Sequence, residues 1–396
     1  MKISVISFTK RGMELSYKVR DILLSYKVDA EIFTKHKAAV TQNMMKTDQA
    51  TEENKETEIN KETEGNKETE ENIEIEENKE IIINKEIKFV SETLHQWAEK
   101  QFTDHKALLF IGACAIAVRT IAPFLKDKLS DSAVLVIDEA GKFVIPVLSG
   151  HYGGANALAE RIAKDMGSIS VITTATDVNG LFAVDVFAKK NNLSICNKEG
   201  IKEVSSAVLD KSEVTMAVAG EYYGRVPEEI TLVEYFMGKK VSIMISPYLA
   251  DGEKAQLQLC PRIYIIGIGC KRGKSLEEIE KVIRKQLQQA GIRKEAVFAI
   301  ASIDWKKDEV ALLQYAEEHN LPFLTFSEKI LNCIEGDFHA SAFVKEQIGV
   351  DNVCERSAMA AVGNDGELII KKHAENGVTV AIAKKKWSVV FGDTHN

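Results

Sequence analysis

Short apolar runs that end at a turn and lead into an amphipathic segment recur through most of this 396-residue chain, and that alternation restricts it to the α/β class. The pattern predicts a strand over 2–8 and a helix over 12–24. A strand follows over 107–111, then a short helix that Pro123 ends. Strands over 133–137 and 143–148 are joined by a turn containing Asp138, Glu139 and Gly141. Apolar residues at 155, 158, 159, 162, 163 and 166 form one face of a helix, and 169–173 reads as the next strand. A mostly parallel sheet with one hairpin is expected. A second such series begins at Arg262, with strands over 263–268, 296–301 and 322–326 and helices over 276–290 and 309–320. A helix near 354–361 and strands over 367–370 and 377–383 close it. Between the two series a helix over 200–209 and strands over 214–218 and 241–245 are weaker. The fold expected is multi-domain α/β: an N-terminal domain from 1–45 plus 87–177, a small central linker domain over 178–258, and a C-terminal domain over 259–390.

The segment 46–86 breaks the alternation. Asn54, Asn60, Asn66, Asn72, Asn78 and Asn84 recur every six residues, a step that builds no apolar helical stripe. Residues 48–86 carry 15 acidic and 5 basic side chains, a net of −10 within a total of −8, so the rest of the chain is +2. Such a polar segment buries too little surface to offset its ordering entropy, and it reads as a disordered or loosely helical surface insertion. An acidic interaction tether is the functional alternative. Outside it no long basic stripe marks a nucleic-acid binder. No apolar run nears the roughly 18 residues of a spanning helix, and the N-terminus reads as a strand, not a signal peptide. A cytoplasmic location without membrane attachment is expected. The six cysteines form no CxxC pair and the eight histidines no HxH or HExxH, so isolated buried thiols and no protein metal site are expected.

Two glycine-rich turns carry the chemistry. Ser149-Gly150-His151-Tyr152-Gly153-Gly154-Ala155-Asn156 follows a strand and opens a helix. Glycines let backbone N–H groups approach a ligand, and a helix start favours an anion such as a carboxylate. His151 stands in the turn as a titratable group. The spacing is equally that of glycines serving only the turn. It is no serine-hydrolase elbow, since Val147 stands where that motif needs glycine. The second turn, Gly267-Ile268-Gly269-Cys270-Lys271-Arg272-Gly273-Lys274-Ser275, also joins strand to helix, and Ser275 with Glu278 makes a capping box. Ile268 and Arg272 replace the glycines of the P-loop and dinucleotide motifs, so nucleotide binding is not expected. Its three cations suggest an anion site; a solvated loop is the alternative. Thr174 and Asp177 follow a strand end, where ligands of α/β sheets sit, though a turn closing on its own backbone suits them as well. Asp138 and Glu139 read as a solvated hairpin, and Asp308 and Glu309 as helix-start charges.

The runs IGACAIAVRTIAPFL, DSAVLVIDEAGKFVIPVLSGHYGGANALAERIA and VITTATDVNGLFAVD resemble, in order and spacing, the N-terminal domain of the cobalt-precorrin 5A hydrolase (CbiG) family of cobalamin biosynthesis. IIGIGCKRGKSLEEIE, SIDWKKDE, VCERSAMAA and GVTVAIAKKKW resemble its C-terminal domain, also found in stand-alone proteins of that pathway. The resemblance covers nearly all the chain outside 40–90. It implies a hydrolase acting on a carbon–carbon bond in the anaerobic pathway: water opens the δ-lactone of cobalt-precorrin 5A, and the extruded two-carbon unit leaves as acetaldehyde, giving cobalt-precorrin 5B. It implies no cofactor, because the tetrapyrrole substrate carries its own cobalt, and transient contacts with other enzymes of the pathway. The catalytic residues expected are His151 as acid–base and Asp177 beside it. The substrate-binding set expected is Gly112, Arg119, Gly150, Gly153, Gly154, Asn156, Thr174, Gly267, Gly269, Cys270, Lys271, Arg272 and Lys274, with backbone N–H groups around Gly153 and Gly154 facing the lactone carbonyl. A cleft between N- and C-terminal domains is expected to hold the flat macrocycle. A non-catalytic corrinoid carrier or scaffold is the alternative function.

Overall fold

All five residues of the strand Ala107–Ile111 are buried, which requires cover on both faces of its sheet. The computed structural model describes residues 2–37, 87–103, 107–127, 130–251 and 254–392, so the insertion read at 46–86 lies outside the described residues. The chain forms two units, Met1–Thr174 and Ala175–Asn396.

In the first unit the elements are β1 (Lys2–Ser7), α1 (Lys10–Ser25), β2 (Asp29–Thr34), β3 (Lys88–Phe89), α2 (Leu94–Thr103), β4 (Ala107–Ile111), α3 (Cys114–Ile121), β5 (Val134–Ile137), β6 (Phe143–Leu148), α4 (Ala155–Met166) and β7 (Ile169–Ser170). The sheet order is β3-β2-β1-β4-β5-β6-β7, parallel throughout except for the β5–β6 hairpin. Strand side chains alternate between two cores, as a period of two demands. Ile3, Val5, Leu109, Ile111, Leu135 and Ile137 meet Val19 and Leu23 of α1 and Ile162 of α4. Ile6, Leu108, Phe110, Val134 and Val136 meet Trp97 of α2 and Ala117 and Ile121 of α3. Trp97, 1% exposed, stands edge-on to Phe33 and Phe110 at 5.5 and 5.8 Å between centroids.

The strand expected over 169–173 stops at Ser170. Val171 N–H still reaches Val144 O at 2.9 Å, but the return bond would need an N–H from residue 146, and Pro146 has none.

The second unit opens with α5 (Ala175–Val178), α6 (Val184–Lys190), β8 (Leu193–Ile195), α7 (Glu199–Leu209), β9 (Val214–Val218), β10 (Glu221–Gly224), β11 (Ile230–Leu232), β12 (Val241–Ile245) and β13 (Ala255–Pro261). Five of these strands form a sheet in the order β11-β9-β12-β13-β8. It is parallel apart from β8. Next come β14 (Tyr264–Cys270), α8 (Leu276–Gln289), β15 (Val297–Ile303), α9 (Val310–Glu318), β16 (Phe323–Phe326), α10 (Glu328–Cys333), α11 (Ala342–Ile348), α12 (Val353–Val362), β17 (Glu367–Glu375), β18 (Val378–Lys384) and β19 (Ser388–Phe391). Their sheet runs β16-β15-β14-β18-β17. The first three strands are parallel, and β18 lies antiparallel to both β14 and β17. β10 and β19 pair as a separate ribbon. Residues 178–258 and 259–390 thus both fall within this unit. Among the described residues no helix is long and apolar enough to cross a membrane.

Candidate functional site

In the first unit, the turn after β6 closes on itself. Ser149 takes a left-handed φ of 55° and its hydroxyl donates to Asp131 O at 2.9 Å. N–H groups of Gly154, Ala155 and Asn156 donate to the carbonyls of His151, Ser149 and Gly150 at 3.0, 3.2 and 3.0 Å. A β-carbon on Gly153 would lie 2.6 Å from Ser149 O, and one on Gly150 2.5 Å from the Asn156 amide oxygen. Gly153 is therefore required by turn closure, and Gly150 leaves room for the Asn156 amide. The expectation that the Gly154 N–H faces a lactone carbonyl is corrected: that donor is committed to His151 O. What the turn does build is a half-buried His151 and a buried Asn156, whose Nδ2 donates to Thr174 Oγ1 at 3.0 Å.

Gly112 follows β4 at the point where strand order reverses between β1 and β4, where sheets of this kind open a crevice. A β-carbon there would touch the Phe8 ring at 3.1 Å. Arg119 is exposed in the last turn of α3, where a cation suits the helix dipole. Asp177 belongs to the second unit, half-buried in the single helical turn α5, which replaces the expected side-chain-closed turn. The carboxylate of Asp138 closes its hairpin, accepting the N–H groups of Lys142 and Phe143 at 2.7 and 2.6 Å.

In the second unit, the turn after β14 borders a cavity of about 560 Å³. Gly269, Cys270, Lys271 and Arg272 line it. Gly267 and Lys274 are not among its lining residues. Gly267 is buried within β14, and a β-carbon would stand 1.8 Å from Cys354 O, so its hydrogen admits α12 against the strand. Lys274 pairs with Glu278 at 2.6 Å; the ammonium, then the Ser275 N–H, hold that carboxyl down to about 2. The Ser275–Glu278 capping box forms as read. Glu309 caps nothing with its side chain. It accepts the Gly273 N–H at 2.9 Å and pairs with Lys306 at 2.7 Å, tying the turn to the segment after β15.

The electrostatics of the cavity follow from its lining. Lys271, Arg272, Lys306 and Lys372 contribute to it, and no aspartate or glutamate does. Lys306 is matched by Glu309, and Arg272 lies 3.8 Å from Asp308. Ile303, Ile348, Val353 and Val378 make an apolar wall, and the indole of Trp305 stands 56% exposed at the rim. The start of α12 faces in through Asn352, Val353 and Cys354, adding a positive helix end. Burial pushes the thiols of Cys270 and Cys354 up, the latter to about 12, so both line the cavity as neutral groups. Sequence reasoning missed Lys306, Lys372, Asn352 and Trp305. An exposed Trp followed by two lysines in SIDWKKDE was the available signal. Among the described residues no group of three or more His, Cys, Asp or Glu is placed to hold a metal ion.

Three family models match successive stretches of the chain: Cobalamin synthesis G N-terminal at 96–177, Cobalamin biosynthesis central region at 182–261, and Cobalamin synthesis G C-terminus at 264–383. The cobalt-precorrin-5A hydrolase of Salmonella typhimurium is 34% identical over 295 residues, covering 72% of this chain and 84% of that protein. That of Priestia megaterium is 34% identical over 316 residues, covering 75% and 83%. A crystal structure of a cobalamin biosynthesis protein G homolog from Sulfolobus solfataricus aligns over 97% of both chains at 22% identity, with a TM-score of 0.38.

Proposed function

The chain belongs to the cobalt-precorrin-5A hydrolase family, and from that premise we propose that it hydrolyses cobalt-precorrin 5A in cobalamin biosynthesis, opening the δ-lactone and releasing acetaldehyde to give cobalt-precorrin 5B. The observation that carries the reading is the cavity of the second unit, whose lining joins an apolar wall to Lys271, Arg272, Lys306 and Lys372, with Lys306 paired to Glu309 and Arg272 near Asp308. Such a lining suits a macrocycle with an apolar body and anionic arms, gripped through charge-assisted hydrogen bonds. Cobalt enters as part of the substrate.

The chemistry divides into two cleavages. Water adds to the lactone carbonyl and the acyl C–O bond breaks, leaving a carboxylate and a secondary alcohol. The alcohol then loses its proton, its oxygen forms a carbonyl, and the bond to the macrocycle breaks with its electron pair entering the conjugated ring. We assign His151 to the first step, as base for water and acid for the leaving oxygen.

The test is incubation of the full chain with cobalt-precorrin 5A, trapping of the aldehyde with a hydrazine, and mass spectrometry of the corrinoid. One equivalent of acetaldehyde per product is expected. Tight binding of the substrate without aldehyde would overturn catalysis in favour of a corrinoid carrier.

A further inference from the structure

Beside the cavity of the second unit lies a carboxylate that the chemistry above does not use. Glu355, in the first turn of α12, is 0% exposed. Its Oε2 accepts the backbone N–H of His339 at 2.8 Å and Asn352 Nδ2 at 2.5 Å. Its Oε1 takes the Lys372 N–H at 2.6 Å and His339 Nδ1 at 3.0 Å. Burial alone would push this carboxyl up. The N–H groups of Lys372 and His339, then the imidazole, outweigh that and hold it below the ordinary range.

Two consequences follow. An ionised carboxylate only accepts, so Nδ1 must carry the proton, and the lone pair of neutral His339 is then on Nε2. His339 is not itself a lining residue of the cavity, but it is linked to two that are: its ring shares Oε1 of Glu355 with the Lys372 N–H, and Asn352 donates from Nδ2 to His339 O at 3.1 Å. Both Asn352 and Lys372 line the cavity. The ring is not locked away, since its side chain is 59% exposed. A carboxylate-backed imidazole with one nitrogen fixed and the other open is the arrangement that proton transfer uses.

We propose that His339 is a second catalytic residue, serving the carbon–carbon cleavage, and that Glu355 is its positioning residue. Nε2 takes the hydroxyl proton of the opened lactone. The oxygen's electrons form the aldehyde carbonyl, and the pair of the breaking C–C bond enters the macrocycle. The imidazolium then returns the proton to the ring or to solvent, so no oxidant or co-reactant is consumed. The assignment rests on the hydrolase reading above. Charged groups near the ring are Glu355 on α12, Asp337 on its own loop, and Lys371 and Lys372 on β17.

The experiment compares wild type, His339→Ala and His339→Gln in the full chain, following acetaldehyde release across pH. The expected result is a kcat at least about tenfold lower with KM little changed, loss of a limb of the wild-type pH–rate profile, accumulation of the ring-opened corrinoid, and partial rescue of His339→Ala by added imidazole. Circular dichroism and thermal unfolding confirm that both variants fold. Unchanged kcat in folded variants, or a loss with no change of profile and no rescue, would overturn the role of His339. A wild type that binds the corrinoid but releases no aldehyde would instead overturn the hydrolase reading, and the proton-transfer role with it.

Discussion

The carbonyl oxygen of Cys354 occupies the space that a β-carbon on Gly267 would need, 1.8 Å from its ideal position. Through that contact α12 lies close against β14, and the same helix start presents Asn352, Val353 and Cys354 to the cavity.

Gly267→Ala is expected to push the helix away or strain the strand, costing about 1–3 kcal/mol as overpacking does. Its effect on substrate affinity should accompany a lowered thermal midpoint. Thermal unfolding followed by circular dichroism checks this, and an unshifted midpoint would contradict the contact.

Lysines of one turn should separate by their partners. Lys271 lines the cavity, whereas Lys274 already pairs with Glu278. Lys271→Met is expected to weaken corrinoid binding about tenfold, with a smaller dependence on salt. Lys274→Met should have the smaller effect on affinity, because its ammonium is already held by Glu278 at 2.6 Å. Spectroscopic titration with the substrate at two ionic strengths distinguishes them.

Stability should fall on acidification through identifiable carboxylates. Glu355 and Glu309 both have folded-state values held below the ordinary range. Their contribution is therefore complete above the unfolded carboxyl value, about 4.3, and lost as pH falls through their lower folded values. Urea midpoints measured through this window should decline in wild type and decline less steeply in Glu355→Gln, from a lower starting point. Parallel curves would remove Glu355 from the account.

His151→Ala should lower acetaldehyde release at least about tenfold, with the turn's backbone hydrogen bonds and the fold intact. Steady-state assays on the folded variant decide it; wild-type rates would exclude His151 from the chemistry.

Much of the architecture was legible because burial on two faces leaves continuous apolar runs such as Ala107–Ile111, and because α4 shows its apolar face at regular spacing. The sheet joining β8, β9, β11, β12 and β13 was only partly visible. β13 begins Ala255-Gln256-Leu257-Gln258, with a buried Gln258 that polarity would place in a loop. Gly267 and Gly269 look alike in sequence, but different neighbours need the missing side chain: Cys354 O of α12 at Gly267, and Thr379 Oγ1 of β18 at Gly269. Asn352 and Lys372 lie about 80 and 100 residues from the turn with which they share the cavity, and no local pattern announces a wall assembled by strand order.

That strand order has a temporal meaning. β18 sits between β14 and β17, and the turn ahead of it returns to the mouth of the first loop, where Lys271 N–H donates to Gly377 O at 2.9 Å. A nascent chain therefore exposes its cationic loop about a hundred residues before the β17–β18 hairpin emerges to enclose it. Truncation ahead of residue 378 removes β18, and with it the Val378 and Thr379 side of the cavity.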